Sequence, residues 1–404
     1  MPTRNHGMSA TRLQNVPALL RQYVDAGKLP GYLCLVSRRG EEAGFFDYGD
    51  MDVERGKPVR RDTIFRVYSM SKPVTSVAMM MLYEKGAFQL DDPVTRYIPQ
   101  WKDLRVFAGG DDSSYTVKEL ERPMIVKDLL THTSGLTYGF THSHPVDALY
   151  RAQRIGGIER FGTLQEMIDK LAGIPLQFSP GARWNYSVST DVLGYLVQLL
   201  SGQDLDEFVR AHITTPLGMV DTGFAVPQGE AERFAACYER VRKDDSFRLQ
   251  DDPASSDYLR RPEFLSGGGG MVSTLDDYHR FTRMLLNKGE LDGVRVLGRK
   301  TVEYMTANHL PGNCDLAAMG QPTFSETSYH GIGFGLGFSV VLDPATANVI
   351  DSVGEFAWGG AASTYFFVDP VEELIVLLMT QLLPSRAYPV RRQLKALVYQ
   401  AIVD

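Results

Sequence analysis

The spacing of apolar residues along this chain changes between that of helices and that of strands. Near the N-terminus, apolar positions at helical intervals predict a helix over residues 10–26. Residues 31–48 then alternate between apolar and polar side chains and end in Gly49-Asp50. This alternation predicts a pair of strands that belong to one sheet.

The middle and the C-terminal parts of the chain have different patterns. Between Gly86 and about Arg248, short periodic segments separated by turn residues predict helices at 126–130, 164–171 and 191–200. From Gly267 onward, the pattern predicts a helix at 275–287, strands at 335–342, 362–368 and 374–381, and a final helix from Arg391.

Predicted strands near both termini indicate one sheet that is built from both ends of the chain. We therefore predict a mixed α/β architecture in which residues 1–85 and 249–404 form an α/β domain. Residues 86–248 should form an inserted, mainly helical domain. Active sites commonly lie at such an interface, so the two regions should share one.

The composition is that of an ordinary globular protein. With 404 residues and 44% hydrophobic residues, the chain can bury a large core, which excludes disordered and fibrous classes. Its net charge of -7 comes from interspersed signs, so no nucleic-acid partner is expected. The longest apolar runs, 77–82 and 374–379, are far shorter than the roughly 20 residues that span a bilayer. We expect no membrane partner and, since the first thirty residues lack a secretory signal, a cytoplasmic location.

The sequence predicts neither a metal nor a cofactor, and it indicates no oligomeric state. Cys34, Cys237 and Cys314 are odd in number and widely spaced, which fits neither a disulfide framework nor a zinc site. The segment His142-Ser143-His144 is a weak metal pattern, because its spacing suggests no third ligand.

The candidate chemistry centres on the tetrad Ser69-Met70-Ser71-Lys72. Pro73 is tolerated only near the first turn of a helix, so a helix should begin close to Ser69, and Gly86 is placed to end it. Residues three apart share a helix face, so Lys72 can reach the Ser69 hydroxyl. An exposed lysine, with a pKa of about 10.4, is a poor base, but burial and the helix dipole favour its neutral form. The alternative is that Ser69 only caps the helix and Lys72 is solvated.

Tyr186 is a second candidate. It follows the turn at Pro180-Gly181 and should lie on a loop before the next helix. A phenol can relay a proton between a serine hydroxyl and a leaving group when a cation such as Lys72 is near. The alternative interpretation is a packed aromatic side chain.

Two runs of glycine complete the candidates. Gly359 and Gly360 precede a β-prone run, and a backbone N–H there could form a two-donor oxyanion hole with the N–H of Ser69. A glycine bulge in an ordinary strand is the alternative. The four glycines at 267–270 lack the spacing of a phosphate loop, which favours a tight bend or a close backbone approach.

Six motifs occur in order between about residues 30 and 385. They are Ser69-Met70-Ser71-Lys72, Leu90-Asp91-Asp92-Pro93-Val94, Leu130-Thr131-His132-Thr133-Ser134-Gly135-Leu136, Trp184-Asn185-Tyr186-Ser187, residues 266–271 and Trp358-Gly359-Gly360. Together they resemble the serine β-lactamase-related superfamily, and within it the family VIII carboxylesterases. The resemblance implies a β-lactamase-like fold, with an antiparallel sheet flanked by helices and an inserted all-helical domain.

The same resemblance implies roles for individual residues. Ser69 is the expected nucleophile, Lys72 the general base and Tyr186 the proton shuttle to the leaving alcohol. The amides of Ser69 and Ala361 are expected to hold the oxyanion. His132 is expected to have a structural role at a turn, and no histidine is assigned to catalysis.

The chain departs from the β-lactam-recognising relatives at two positions. Trp358 stands where those relatives carry the lysine of Lys-Thr-Gly, and Val188 stands where class C β-lactamases have an asparagine. Loss of the cation removes an ion pair of about 1.5–3 kcal/mol with an anionic β-lactam. Efficient β-lactam turnover is therefore not expected, although weak activity on early cephalosporins is compatible with the scaffold.

We interpret the sequence as that of a serine carboxylesterase that acts on short-chain, small-molecule esters through an acyl-enzyme. The apolar pocket for the substrate is expected to involve Trp358, Gly359, Gly360, Tyr138 and Phe366. The alternatives are an acyltransferase similar to the enzymes that acylate statin precursors, a β-lactamase or D-amino-peptidase, and a silent binding domain on the same fold. The sequence contains no Gly-x-Ser-x-Gly motif, which argues against an α/β-hydrolase.

Overall fold

The computed structural model describes residues 4–158, 161–320 and 327–404. Its main element is an eight-stranded sheet in which every pairing is antiparallel and the strand order is β4-β5-β6-β7-β8-β1-β2-β3. The strands are β1 Gly31–Arg38, β2 Glu41–Asp52, β3 Lys57–Pro58, β4 Ile332–Phe334, β5 Ser339–Val341, β6 Phe356–Gly359, β7 Tyr365–Asp369 and β8 Leu374–Met379. Both ends of the chain therefore contribute to one sheet.

Helices lie on both faces of this sheet and between its two halves in sequence. They are α1 Ala10–Leu13, α2 Asn15–Asp25, α3 Ser71–Glu84, α4 Val126–Leu130, α5 Pro145–Ala152, α6 Leu164–Leu171, α7 Ser189–Ser201, α8 Leu205–Val209, α9 Leu275–Leu286, α10 Arg299–Met305, α11 Leu316–Met319, α12 Pro344–Ala347 and α13 Val390–Tyr399. None of the helices in the described ranges is long and apolar enough to cross a membrane.

The two central strands are buried on both faces, because side chains alternate between two cores. In β1, Leu33 and Leu35 pack into the core that also contains α3 and α9. Cys34 and Val36 pack into a second core, which α2 and α13 cover on the opposite face. This arrangement needs no polar face, which explains why all eight residues of β1 and all six of β8 are buried.

The predicted fold class is confirmed, but some boundaries differ from those expected. The helix expected at 10–26 is two helices, and Pro17 lies in the first turn of the second, where a missing N–H costs nothing. Of the strand expected at 335–342, only β5 at 339–341 forms, because the residues before it make the turn from β4, in which Gly337 has φ +99.

The strand expected at 362–368 begins later, because residues 360–364 form a turn in which Ser363 has φ +71. Its partner β6, which ends in Gly359, was not predicted as a separate strand. Outside the main sheet, Cys237–Arg240 pairs in parallel with Leu382–Leu383. The domain boundaries at 85/86 and 248/249 stay a prediction.

Helix α9 carries a titratable group that is mostly buried. The Nε2 atom of His279 forms no hydrogen bond within the described ranges. Burial, together with the nearby Arg283, lowers the pKa of His279 from 6.5 to about 4. The folded protein therefore favours the neutral form of the imidazole over the protonated form.

Acid should destabilise the fold through His279. The unfolded chain binds this proton near pH 6.5 and the folded protein only near pH 4, so the stability present at neutral pH is lost as the pH falls through this window. The free energy of unfolding of the wild type should fall between pH 7.5 and pH 5.0. In His279→Gln this fall should be smaller by about 1–2 kcal/mol, as measured by urea titrations at the two pH values. The exposed His330→Gln is the control, and equal losses in all three proteins would contradict the assignment.

Candidate active site

Ser69 lies in a tight turn that leads directly into helix α3. The turn, Tyr68–Met70, is a 3-10 helix, and Tyr68 has a positive φ of 42. Two long-range hydrogen bonds fix this segment: the Tyr278 hydroxyl donates to the Met70 carbonyl at 2.8 Å, and the Met271 amide donates to the Ser71 hydroxyl at 3.0 Å. The Ser69 hydroxyl is therefore held on a rigid support, and only 9% of Ser69 is exposed.

The Lys72 amine lies next to the Ser69 hydroxyl. Its Nζ is 3.4 Å from Ser69 Oγ and donates to the carbonyl of Gly268 at 2.6 Å. The same atom lies 4.4 Å from the ring centroid of Tyr186 and 5.3 Å from that of Tyr138. Lys72 is only 2% exposed, so solvent does not surround the amine. The geometry expected from the Ser-x-x-Lys spacing is present.

The four-glycine segment supplies the carbonyl that holds Lys72. A Cβ on Gly267 would lie 2.8 Å from the Thr190 carbonyl, so glycine permits the close approach expected there. The buried carboxylate of Asp191 accepts hydrogen bonds from the Ser266 hydroxyl at 2.6 Å and from the Gly268 amide at 3.0 Å. Asp191 and Gly268 thus belong to the site, although their sequence context assigned neither of them to it.

Aromatic rings enclose the amine on its other side. The Tyr186 ring centroid lies 5.2 Å from that of Tyr138, 5.6 Å from that of Trp358 and 5.1 Å from that of His132. His132 Nδ1 is 3.1 Å from the Ser187 hydroxyl, and burial holds the His132 pKa well below its ordinary value. His132 is thus neutral at physiological pH and takes part in a local hydrogen bond.

The turn after β6 brings a second backbone amide towards Ser69. Gly360 donates to the Thr364 carbonyl at 2.9 Å, and a Cβ on Gly360 would collide with the carbonyl of Val67, two residues before Ser69. From α13, Arg391 donates to the carbonyls of Gly360 at 3.0 Å and Thr364 at 2.8 Å. The turn that carries Ala361 is therefore fixed from both sides of the sheet.

A cavity opens in front of Ser69, and its volume is about 90 Å³. Ser69, Ala361 and Tyr138 line it, which agrees with their expected places. Val188 also lines it, at the start of α7.

The remaining predicted pocket residues lie elsewhere. Trp358, Gly359 and Gly360 are buried in and beside β6, next to the cavity wall. Phe366 is fully buried, and its ring packs 5.3 Å from that of Tyr278, so the structure does not place it at the cavity. Phe366 pairs with Trp358 across the sheet and shares its face, but the Tyr278 ring of α9 covers it there.

This arrangement can support nucleophilic chemistry. A hydroxyl within reach of a buried amine can be deprotonated, and the amides of Ser69 and Ala361 lie on two segments that meet at the cavity. Within the described ranges, no group of three or more His, Cys, Asp or Glu side chains could hold a metal ion. His144, which belonged to the weak metal pattern, accepts from the Val146 amide at the start of α5.

One family model matches almost the whole chain: the Beta-lactamase model, over residues 16–400. The chain belongs to this family. The family match confirms the resemblance that the six sequence motifs indicated and the β-lactamase-like fold that it implied.

Relatives within the beta-lactamase family include esterases and acyl-transferring enzymes. The chain is 33% identical to esterase EstB of Burkholderia gladioli over 389 residues, which cover 92% of this chain and 91% of that protein. The structure of EstCE1, described as a hydrolase with promiscuous acyltransferase activity, matches with a TM-score of 0.80 and 26% identity, covering 96% of this chain and 98% of that one. Simvastatin synthase (LovD) from Aspergillus terreus matches with a TM-score of 0.80 and 26% identity, covering 97% and 98%. These matches support a serine hydrolase of the β-lactamase superfamily.

Gly360→Ala should disturb the site through one steric contact. A Cβ there collides with the Val67 carbonyl and the Thr364 hydroxyl, so β6 must move away from the segment that carries Ser69. We expect labelling of Ser69 by a fluorophosphonate to slow by roughly 100-fold, the usual effect of losing one oxyanion donor. Gly173→Ala is the matched control, because its Cβ meets only the Lys170 carbonyl at 3.7 Å. Equal labelling rates in the two variants would refute the proposed arrangement of the two amides.

Proposed function

We propose that this protein is a serine carboxylesterase that hydrolyses short-chain esters through an acyl-enzyme on Ser69. The observation that carries the proposal is the buried amine of Lys72, 3.4 Å from Ser69 Oγ at the wall of a cavity. An amine and a hydroxyl paired in this way, desolvated by aromatic rings and a backbone carbonyl, are suited to transfer of the hydroxyl proton.

The proposed reaction has two balanced halves. Lys72 accepts the Ser69 proton while Ser69 Oγ bonds to the ester carbonyl carbon, and the amides of Ser69 and Ala361 stabilise the oxyanion. The C–O bond to the alcohol then breaks, and the alcohol takes the proton by way of Tyr186, whose ring lies beside the Lys72 amine. In the second half, water bonds to the acyl carbon and gives a proton to the same groups. The bond from the acyl carbon to Ser69 Oγ then breaks, Oγ takes that proton, and the carboxylic acid leaves.

The environment of Trp358 favours neutral esters over β-lactams. Its indole is only 1% exposed and lies between the rings of Tyr186 and Phe334, at 5.6 and 5.4 Å between centroids. No ammonium group stands at this position to receive the carboxylate of a β-lactam. The apolar side chain of Val188 likewise supplies no amide for hydrogen bonds to such a substrate.

Acyl transfer is the second candidate function. The similarity to EstCE1 and to simvastatin synthase favours it over β-lactam hydrolysis and over a silent binding domain. The same acyl-enzyme gives transfer when an acceptor alcohol attacks in place of water. Product analysis in the presence of added alcohols separates the two: ester formation that exceeds acid formation at millimolar acceptor would favour a transferase.

Two substitutions test the proposed nucleophile and base. Ser69→Ala and Lys72→Met should each lower kcat/KM for p-nitrophenyl butyrate by about 1,000-fold or more, since nucleophile and base act as a unit. Ser255→Ala and Lys102→Met are the controls, because both of these residues are exposed. Retention of activity together with fluorophosphonate labelling in Ser69→Ala would overturn the proposal.

The preference for esters over lactams is tested separately. The ion pair missing at Trp358, about 1.5–3 kcal/mol, lowers kcat/KM for an anionic cephalosporin roughly 10- to 100-fold relative to a site that carries the cation, so we expect its value to fall below that for p-nitrophenyl acetate or butyrate. Each substrate is measured with the wild type and with Ser69→Ala to remove background hydrolysis. A cephalosporin turnover above that of the esters would contradict the argument from Trp358.

A further inference from the structure

Two cations line the outer part of the cavity in front of Ser69. They are Arg154, just after α5, and Lys170, in the last turn of α6. Lys170 Nζ lies 3.4 Å from the carbonyl of Gln153, which is the residue next to Arg154. The two cations therefore lie on neighbouring segments. The Arg154 guanidinium lies 5.1 Å from the ring centroid of Phe161, which also lines the cavity.

Neither cation is neutralised by a carboxylate within the described ranges. No ion pair within 4.0 Å involves Arg154 or Lys170 among the residues of 4–158, 161–320 and 327–404. Among the described residues that line the cavity, the acidic one is Asp191, which is buried and accepts from Ser266 and Gly268. The exposed Arg261, by contrast, is paired with Asp204 and Asp206.

The remaining wall of the cavity is largely apolar. Apolar side chains that line it include Tyr138, Ile155, Met167, Val188 and Phe264. A group that fills this space must therefore be apolar along its length, and an anion at its far end would meet Arg154 and Lys170.

The position of Tyr186 decides which part of an ester enters the cavity. Ser69 and Ala361 line the cavity, whereas Tyr186 and Lys72 are buried and do not line it. If Tyr186 returns the proton to the leaving alcohol, the alcohol leaves on the side of Tyr186. The acyl group then occupies the cavity, with its far end at the two cations.

We propose that the preferred acyl group carries a carboxylate at its far end, so that the substrates are half-esters of aliphatic dicarboxylic acids. This inference rests on the proposed esterase function and names its substrate class. The anion is received at the outer end of the acyl pocket, and not at the position that Trp358 occupies. Because both cations are exposed, the interaction is screened by salt and contributes selectivity more than affinity.

The test compares two p-nitrophenyl esters with the same acyl chain, one ending in a carboxylate and the other in a neutral methyl ester. Mono-p-nitrophenyl adipate carries a free carboxylate, and methyl p-nitrophenyl adipate is its neutral counterpart with the same chain. Both are assayed with the wild type, Arg154→Gln, Lys170→Gln and the double variant, at low and at high salt. Lys102→Gln removes an exposed lysine elsewhere and controls for the change in net charge.

We expect the wild type to favour the anionic ester, and the double variant to lower kcat/KM for it about five-fold while changing the neutral ester by less than about two-fold. High salt should reduce the preference of the wild type in the same direction. An equal rate for the two esters in the wild type, or a preference that survives in the double variant, would overturn the inference. Absence of Ser69-dependent turnover of the neutral ester would instead overturn the proposed esterase itself, so the two failures are distinguishable.

Discussion

The site depends on the burial of one amine. Lys72 Nζ is held between the Ser69 hydroxyl, the Gly268 carbonyl and the Tyr186 ring, and these groups come from three distant parts of the chain. A buried amino group is costly unless each of its hydrogen-bonding positions is used, so the fold must bring these parts together accurately. The Asp191 carboxylate contributes by fixing the Gly268 amide, and thereby the carbonyl that meets Lys72.

The sheet makes this accuracy possible, because its strands come from both ends of the chain. The central strands β8 and β1 share one core with α9 and α3, and Tyr278 of α9 donates to the Met70 carbonyl just before the helix that carries Lys72. On the opposite face, Arg391 of α13 donates hydrogen bonds to two carbonyls of the turn that carries Ala361. One layer thus fixes the proposed nucleophile while the other fixes the turn of the second proposed amide.

Short sequence motifs were sufficient to predict those parts of the site whose residues are close together in the chain. Ser69 and Lys72 share one helical turn, and Pro73 restricts where that turn begins, so their geometry could be predicted. Gly268 and Asp191 could not be found in this way, because Gly268 lies 196 residues from Lys72 and 77 residues from Asp191, and only the packed fold joins them. The structure does not place Phe366 at the cavity for the same reason. The alternation of side chains along a strand predicts which face of the sheet Phe366 lies on, but not that Tyr278 of α9 covers it.

The proposed catalysis and the proposed selectivity are assigned to different parts of this fold. The groups around Lys72 are almost fully buried and mutually bonded, so substitution there changes many contacts at once. Arg154 and Lys170 are exposed, lie on the helical region between the two halves of the sheet, and touch the site only through the outer cavity wall. Charge at the cavity mouth can therefore change without disturbing the buried amine. On this physical ground, related chains that share the Ser69 and Lys72 geometry can differ in the acyl groups they accept.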